Sequence, residues 1–296
     1  MLDASQVTVR VIGCSAARLD AWSACSGYLL RTGDAGTLLI DCGPGVAREL
    51  ALLDELTKLR GIVITHAHQD HILDILPVAF ARLHAVDKLP KIPLWLPADA
   101  LRVVRGLNEI FRVPTGVGDP LTAAFDVRPL DRDGRTPIEV LPGVQLTAFE
   151  GRHVVASAAL RFETADGSVA FSGDTGWCDG VIDAARDADL FVCEATYLEA
   201  GPKILHDHGH LTGELTGRLA GEAGVRHLLV THILRPADAA AVFEAARANA
   251  TGVQQVTKAA PGVEIVVGAR SAAARIPACP VAQINVSPDQ TRRGAQ

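Results

Sequence analysis

GIVITHAHQDH (61–71) decides the reading of this chain. Residues 61–65 form a β-branched run that predicts a buried strand. The strand runs straight into His66, His68, Asp70 and His71. His66 and His68 stand two apart and cannot share a helix face, so they converge only from an extended or looped backbone. Asp70 and His71 fall where a helix begins. Apolar spacing predicts that helix over 72–85, with Pro77 admitted as a kink. Imidazole and carboxylate groups suit zinc, manganese or iron. Four of them in one strand-end loop are costly to hold together without a metal. The carboxyl ends of strands in α/β units are also where sites lie.

Working outward, residues 7–13, 26–32 and 36–43 read as short strands with glycine-marked turns. Residues 45–59 carry Val46, Leu50, Leu53 and Leu56 at helical spacing. KIPLWLP (91–97) reads as a short strand, and Asp99 is placed to cap a helix over 100–111. The stretch 113–142 is rich in Pro, Gly and Asp and reads as an irregular excursion. Strands resume at VQLTAFEG (144–151), SAALRFET (157–164) and SVAFSGD (168–174), with 165–167 as a hairpin-type turn. Helices over 181–186, 212–223 and 237–250 then alternate with strands DLFVCEA (189–195), RHLLVTHI (226–233) and VEIVV (263–267). Two β-rich halves, each closed by helices, predict a sheet-on-sheet core with helices outside. One domain is expected over 1–268, with a C-terminal extension over 269–296 that shows little periodicity.

The cluster His-x-His-x-Asp-His resembles the signature of the metallo-β-lactamase superfamily. That resemblance implies an αββα sandwich with a dinuclear site, and it calls for three more ligands at strand ends. His153 follows VQLTAFEG, Asp174 ends FSGD and His232 ends LLVTH, so the resemblance covers about 7–234. Carried over residue by residue, it implies one metal on His66, His68 and His153, a second on Asp70, His71 and His232, and Asp174 bridging them. Two divalent ions are therefore expected, zinc first and manganese second. Such a pair clamps attacking and leaving oxygens and generates a metal-bound hydroxide near neutral pH. Asp70 would take the proton of that nucleophile.

FSGDT, EATY, GH-x-T and TH in series look like the phosphodiesterase branch that includes ribonuclease Z, the tRNA 3′-end endonuclease. In that branch Glu194 and His210 would pair beside the metals, His210 giving a proton or contacting phosphate. IGCSAA, SGYLL and DCGPG at the N-terminus fit the same branch. Asp41 in DCGPG either orients a ligating histidine or simply opens a turn before the helix. One feature departs from ribonuclease Z. Its basic tRNA-gripping arm lies between the later histidine and the bridging aspartate, whereas here His153 and Asp174 are 174 − 153 = 21 positions apart. That length makes a β-hairpin. The chain looks closer to bacterial cyclic-nucleotide phosphodiesterase-like members. The expected function is hydrolysis of small or cyclic phosphodiesters; a ribonuclease Z-type endonuclease and a lactone or ester hydrolase of the same fold are the alternatives. A non-catalytic zinc scaffold would usually have lost ligands, and none is lost here. In HDHGH (206–210), His206 and His208 read as a mobile loop over the site rather than a third metal. His84 and His227 read as surface residues.

Composition agrees with this reading. Among 296 residues, 48% are hydrophobic and 21% charged, which excludes a disordered chain. A formal charge of −6 argues against a protein living off phosphate-backbone contacts, so RNA is the less expected partner. No apolar run reaches spanning length and no secretory signal opens the sequence, so no membrane and a cytoplasmic location are expected. The cysteines 14, 25, 42, 178, 193 and 279 include no C-x-x-C pair and read as small hydrophobes in a reduced compartment. The branch often dimerises, so a homodimer is possible on resemblance alone.

Overall fold

Strand residues alternate between two apolar environments. Leu38 and Ile40 face a central core shared with Leu160, Phe162 and Leu229, while Leu39 between them faces Val46 and Leu50. Leu228 and Val230 turn outward to Val181 and Leu219, and Leu229 turns inward. This period of two, apolar on both faces, is what a sheet covered on both sides requires. The computed structural model describes residues 6–18, 20–114 and 116–268, apart from the side chain of His206. The expected 269–296 extension, with Cys279, lies outside the described residues.

The first sheet takes β1 (Val7–Ser15), β2 (Ala24–Cys25), β3 (Gly27–Thr32), β4 (Thr37–Ile40), β5 (Leu59–Val63), β6 (Ile92–Pro97) and β7 (Phe125–Leu130). The second takes β8 (Ile138–Leu141), β9 (Val144–Gly151), β10 (Ser157–Glu163), β11 (Ser168–Phe171), β12 (Leu190–Glu194), β13 (His227–Thr231) and β14 (Gln255–Lys258). β15 (Glu264–Val266) returns to the first sheet beside β1. The orders are β15-β1-β3-β4-β5-β6-β7, with β2 beside β1, and β14-β13-β12-β11-β10-β9-β8. Each sheet is antiparallel in one part and parallel in the other, β4 to β7 and β11 to β14 being parallel. Parallel neighbours need crossovers, and helices supply them on the outer faces. In the first half these are α1 (Val46–Leu52), α2 (Gln69–Ile72), α3 (Ile75–Leu83), α4 (Leu101–Ile110) and α5 (Pro120–Ala124). In the second they are α6 (Asp179–Ala185), α7 (Pro202–His208), α8 (Gly213–Glu222) and α9 (Ala239–Asn249). The result is the αββα sandwich, with the carboxyl ends of both parallel runs at one rim. Among the described residues, no helix is long and apolar enough to cross a membrane.

Several local expectations are corrected. The helix expected over 45–59 stops at Leu52, because Asp54 takes a left-handed φ of 55°. The supposed excursion 113–142 holds α5 and the two edge strands β7 and β8. Pro129 in FDVRPL disguised β7, and proline is tolerated there because only one edge of the strand is paired. Asp99 sits in a 3₁₀ turn ahead of α4 and makes no side-chain cap. QVTK, too polar to read as a strand, is β14. HDHGH is not a mobile loop but the end of α7, closed by Gly209 at a φ of 67°. Cys25, Cys42 and Cys193 are buried free thiols, and burial pushes Cys25 up to about 11.

His84 is exposed as expected, but His227 is buried and meets Thr257 Oγ1 through Nε2 at 2.8 Å. Burial lowers His227 to about 4. Its neutral form then stabilises the fold above the ordinary value near 6.5, and that contribution drains away as pH falls from 6.5 to 4. Between pH 7 and pH 4.5 the loss from this residue is roughly 2–3 kcal/mol. His227→Gln should therefore lose that much less stability than wild type over the interval, measured by urea unfolding at both pH values. Equal losses would contradict the assignment.

Candidate metal centre and its histidine–glutamate flank

Seven side chains converge at the rim from four strand ends. The loop after β5 brings His66 and His68, and α2 starts on His68 so that Asp70 and His71 occupy its first turn. His153 follows β9, Asp174 follows β11 and His232 follows β13. Two glycines make the approach possible. At Gly43 an added Cβ would lie 1.9 Å from the Asp70 carbonyl oxygen; at Gly173 (φ 56°) it would lie 2.8 Å from that of Ala158.

The ligand atoms form two groups. His66 Nε2 and His153 Nε2 stand 3.2 and 3.0 Å from His68 Nδ1, and they lie 3.6 and 4.0 Å from Asp174 Oδ2. His71 Nε2 and His232 Nε2 stand 3.3 Å apart, 3.5 and 3.3 Å from Asp70 Oδ2, and 3.3 and 3.4 Å from Asp174 Oδ1. Asp174 thus turns one oxygen to each group. Its Oδ1 is buried without a hydrogen bond. All seven residues but His68 and His153 are fully buried.

Outer contacts fix the rings. Asp41 Oδ2 accepts from His71 Nδ1 at 2.7 Å, and Oδ1 accepts from the Thr65 amide at 2.7 Å. Of the two readings open for Asp41, orientation of His71 is the one with a contact behind it. His153 Nδ1 donates to the Gly209 carbonyl at 3.0 Å, and His232 Nδ1 meets Thr196 Oγ1 at 2.9 Å. His66 Nδ1 meets Thr65 Oγ1 at 3.1 Å. Each ring therefore presents its other nitrogen to the centre. Thr65 and Thr196 escaped the sequence reading; the available signal was a threonine at a strand end beside an expected site residue, VIT-His and Glu-Ala-Thr.

Burial holds His66, His68 and His153 below the usual imidazole range, in the neutral form that ligates metal. Burial would also lower His71, but Asp174 and Asp41 outweigh it and raise it. Burial would raise Asp174 and Asp70, yet the surrounding histidines hold both carboxylates ionised.

Beside the centre, Glu194 Oε1 meets His210 Nδ1 at 2.9 Å and accepts from the Thr175 amide at 2.8 Å. Oε2 accepts from Thr196 Oγ1 at 2.6 Å and the Leu211 amide at 3.1 Å. Glu194 is buried and has partners on both carboxylate oxygens. His210 stacks on His232 with its side chain 14% exposed, and among the described residues its Nε2 makes no hydrogen bond or ion pair. Burial would lower His210, but Glu194 and then Asp174 raise it to about 9. Glu194, His210 and His232 are close enough to form a third possible ligand group.

Comparison with known proteins follows the same lines. A family model described as a beta-lactamase superfamily domain matches residues 37–233. The uncharacterized protein Rv1339 of Mycobacterium tuberculosis is 35% identical over 231 residues, covering 77% of this chain and 81% of that one. The probable metallo-hydrolase YhfI of Bacillus subtilis is 31% identical over 230 residues, covering 76% and 86%. Its crystal structure matches with a TM-score of 0.75 at 26% identity, over 88% of this chain and all but 1% of the other (99% covered). A ribonuclease Z of Streptomyces coelicolor is 30% identical over 250 residues, covering 70% and 80%.

Asp41 offers a clean test of the orienting contacts. Its φ of 57° suits asparagine as well as aspartate, so Asp41→Asn keeps the backbone and removes the charge. Chelator competition should show divalent-ion affinity falling about 10–100-fold. An unchanged affinity would make Asp41 a turn residue only.

Proposed function

Because the chain belongs to the beta-lactamase superfamily and is a metallo-hydrolase of that fold, we propose that it is a dinuclear phosphodiesterase of small or cyclic phosphodiesters. His66, His68 and His153 would hold one divalent ion, Asp70, His71 and His232 the other, with Asp174 shared. Two features of the residues support the fit. Asp174 Oδ1 is a buried oxygen lacking a hydrogen bond. The nitrogens crowd together at 3.0–3.3 Å, at or slightly inside the edge of about 3.3–3.4 Å that a tetrahedral zinc site with zinc–imidazole distances of about 2.0–2.1 Å would have. All seven donors are nitrogen or oxygen, which favours zinc first and manganese second. When bound, the two ions supply Lewis-acid polarisation of a phosphoryl oxygen and acidify water.

The remaining work belongs to the chain. Asp70 Oδ2 faces His71 and His232, while Oδ1 has no partner among the described residues and takes the proton of the attacking water. The leaving oxygen needs a proton, and His210 Nε2 gives it. Glu194 holds Nδ1, so the ring keeps one orientation and its charge. The histidine–glutamate pair is the observation that carries phosphodiester chemistry over ester or lactone hydrolysis. A ribonuclease Z relative keeps tRNA processing as the second reading. Against it, β10 and β11 pair directly across 164–167, so no gripping arm leaves the segment between His153 and Asp174.

Zinc- or manganese-loaded protein should hydrolyse bis(p-nitrophenyl) phosphate and at least one cyclic nucleotide, with little cleavage of pre-tRNA or lactones. Efficient site-specific pre-tRNA cleavage would transfer the assignment to the second reading. His210→Ala should keep its metals and lower kcat about 10²–10⁴-fold for a poor alkoxide leaving group, with a smaller loss for p-nitrophenolate. Equal losses for both leaving groups, or a lost metal, would remove His210 from the acid role.

A further inference from the structure

A general acid stands on the leaving-group side of the bond it breaks, so the cavity beside His210 has a defined use. The Tyr197 ring meets the His210 ring edge-on at a centroid distance of 5.8 Å, and Tyr197 also lines a groove of about 440 Å³. That lies within the roughly 300–1,000 Å³ typical of small-molecule sites. The walls are the stretch after β12 and the stretch after β13, tied by a bond from the Leu234 amide to the Thr196 carbonyl at 3.1 Å. Tyr197, Leu198, Ile204 and Leu234 supply apolar surface. The charged groups are Arg235, Glu199 and Asp238, and among the described residues none of their side chains makes an ion pair. One guanidinium against two carboxylates leaves the groove negative.

We infer that this groove is the leaving-group subsite and that it takes an uncharged nucleoside, rejecting a leaving group that carries a further phosphate. The inference rests on the phosphodiesterase reading above. A flat base finds the Tyr197 face and the apolar walls, and stacking of this kind tolerates any base. Ribose hydroxyls are donors that Glu199 and Asp238 accept. A second phosphate meets two carboxylates against the single guanidinium of Arg235, and that net like charge lowers its affinity. The groove thereby separates mononucleotide-sized diesters from a polynucleotide, whose every leaving nucleoside carries the next phosphate.

The test uses the zinc-loaded full chain and two measurements. Adenosine has no phosphate to reach the metal centre, so calorimetric titration with adenosine reads the groove alone. Saturable binding is expected, weakened about tenfold in Tyr197→Ala. The second measurement is kcat/KM for the dinucleoside monophosphate ApA against pApA and ApAp, which add a phosphate to the 5′ and to the 3′ nucleoside; the products of ApA, adenosine plus pA if the P–O3′ bond breaks or Ap plus adenosine if the P–O5′ bond breaks, identify the nucleoside that leaves. The dinucleotide phosphorylated on the leaving nucleoside should be at least several-fold poorer, and Glu199→Lys, at an exposed position, should close that gap. Absence of adenosine binding by folded protein that hydrolyses phosphodiesters would overturn the inference and leave the parent reading standing. Equal binding by Tyr197→Ala, or the dinucleotide phosphorylated on its leaving nucleoside turned over as fast as ApA, would also overturn it. Failure to hydrolyse any phosphodiester would instead remove the parent reading.

Discussion

The carboxylate of Asp174 is the constraint around which this protein is built. It is buried between two clusters of imidazoles, with each oxygen facing one cluster and Oδ1 lacking a hydrogen bond among the described residues. A buried charge without compensation costs several kcal/mol, so its position makes sense only with positive charge on both sides. The fold delivers that arrangement because its two sheets end at one rim. Asp174, His153 and His232 come from the second sheet, and the four residues His66–His71 come from the first. The same rim is where the sheets bond directly: the Ala158 amide to the Thr65 carbonyl at 2.9 Å, the His232 amide to the Cys14 carbonyl at 3.1 Å, and Tyr28 Oη to Thr231 Oγ1 at 2.7 Å. Positioning the centre and joining the halves of the sandwich are one task.

Polarity in the layer around the centre is divided by role. Asp41, Thr65 and Thr196 turn rings without offering the centre a free donor atom. Glu194 meets His210, the Thr196 hydroxyl and three backbone amides, so it orients rather than ligates. His68 and His210 each keep one ring nitrogen uncommitted among the described residues, and of the two His210 is the one outside the two ligand groups. Tyr197, whose ring meets that of His210, lines the groove proposed to hold the departing group.

Much of this was legible before any coordinates. His66, His68, Asp70 and His71 sit within six residues of each other, so their convergence is local and spacing alone exposes it. His153, Asp174 and His232 are remote in sequence, and only the family resemblance singled them out among other polar residues at strand ends. Layer order was readable because strand positions such as Leu38, Leu39 and Ile40 are apolar on both faces. The edge strands β7, β8 and β14 were missed because an edge tolerates proline and polar residues that a central strand rejects. His227 was misjudged for a related reason: its burial depends on β14, which the sequence did not reveal. The groove beside His210 joins segments from two crossovers and has no local signature at all.

Anomalous diffraction at the zinc edge from crystals of the metal-loaded protein tests the central claim most directly. The account predicts two peaks per chain. One would lie about 2.0–2.2 Å from His66 Nε2, His68 Nδ1 and His153 Nε2, the other at that distance from Asp70, His71 Nε2 and His232 Nε2, with one oxygen of Asp174 bound to each. A single peak, or two peaks of which neither is bound by Asp174, would contradict it.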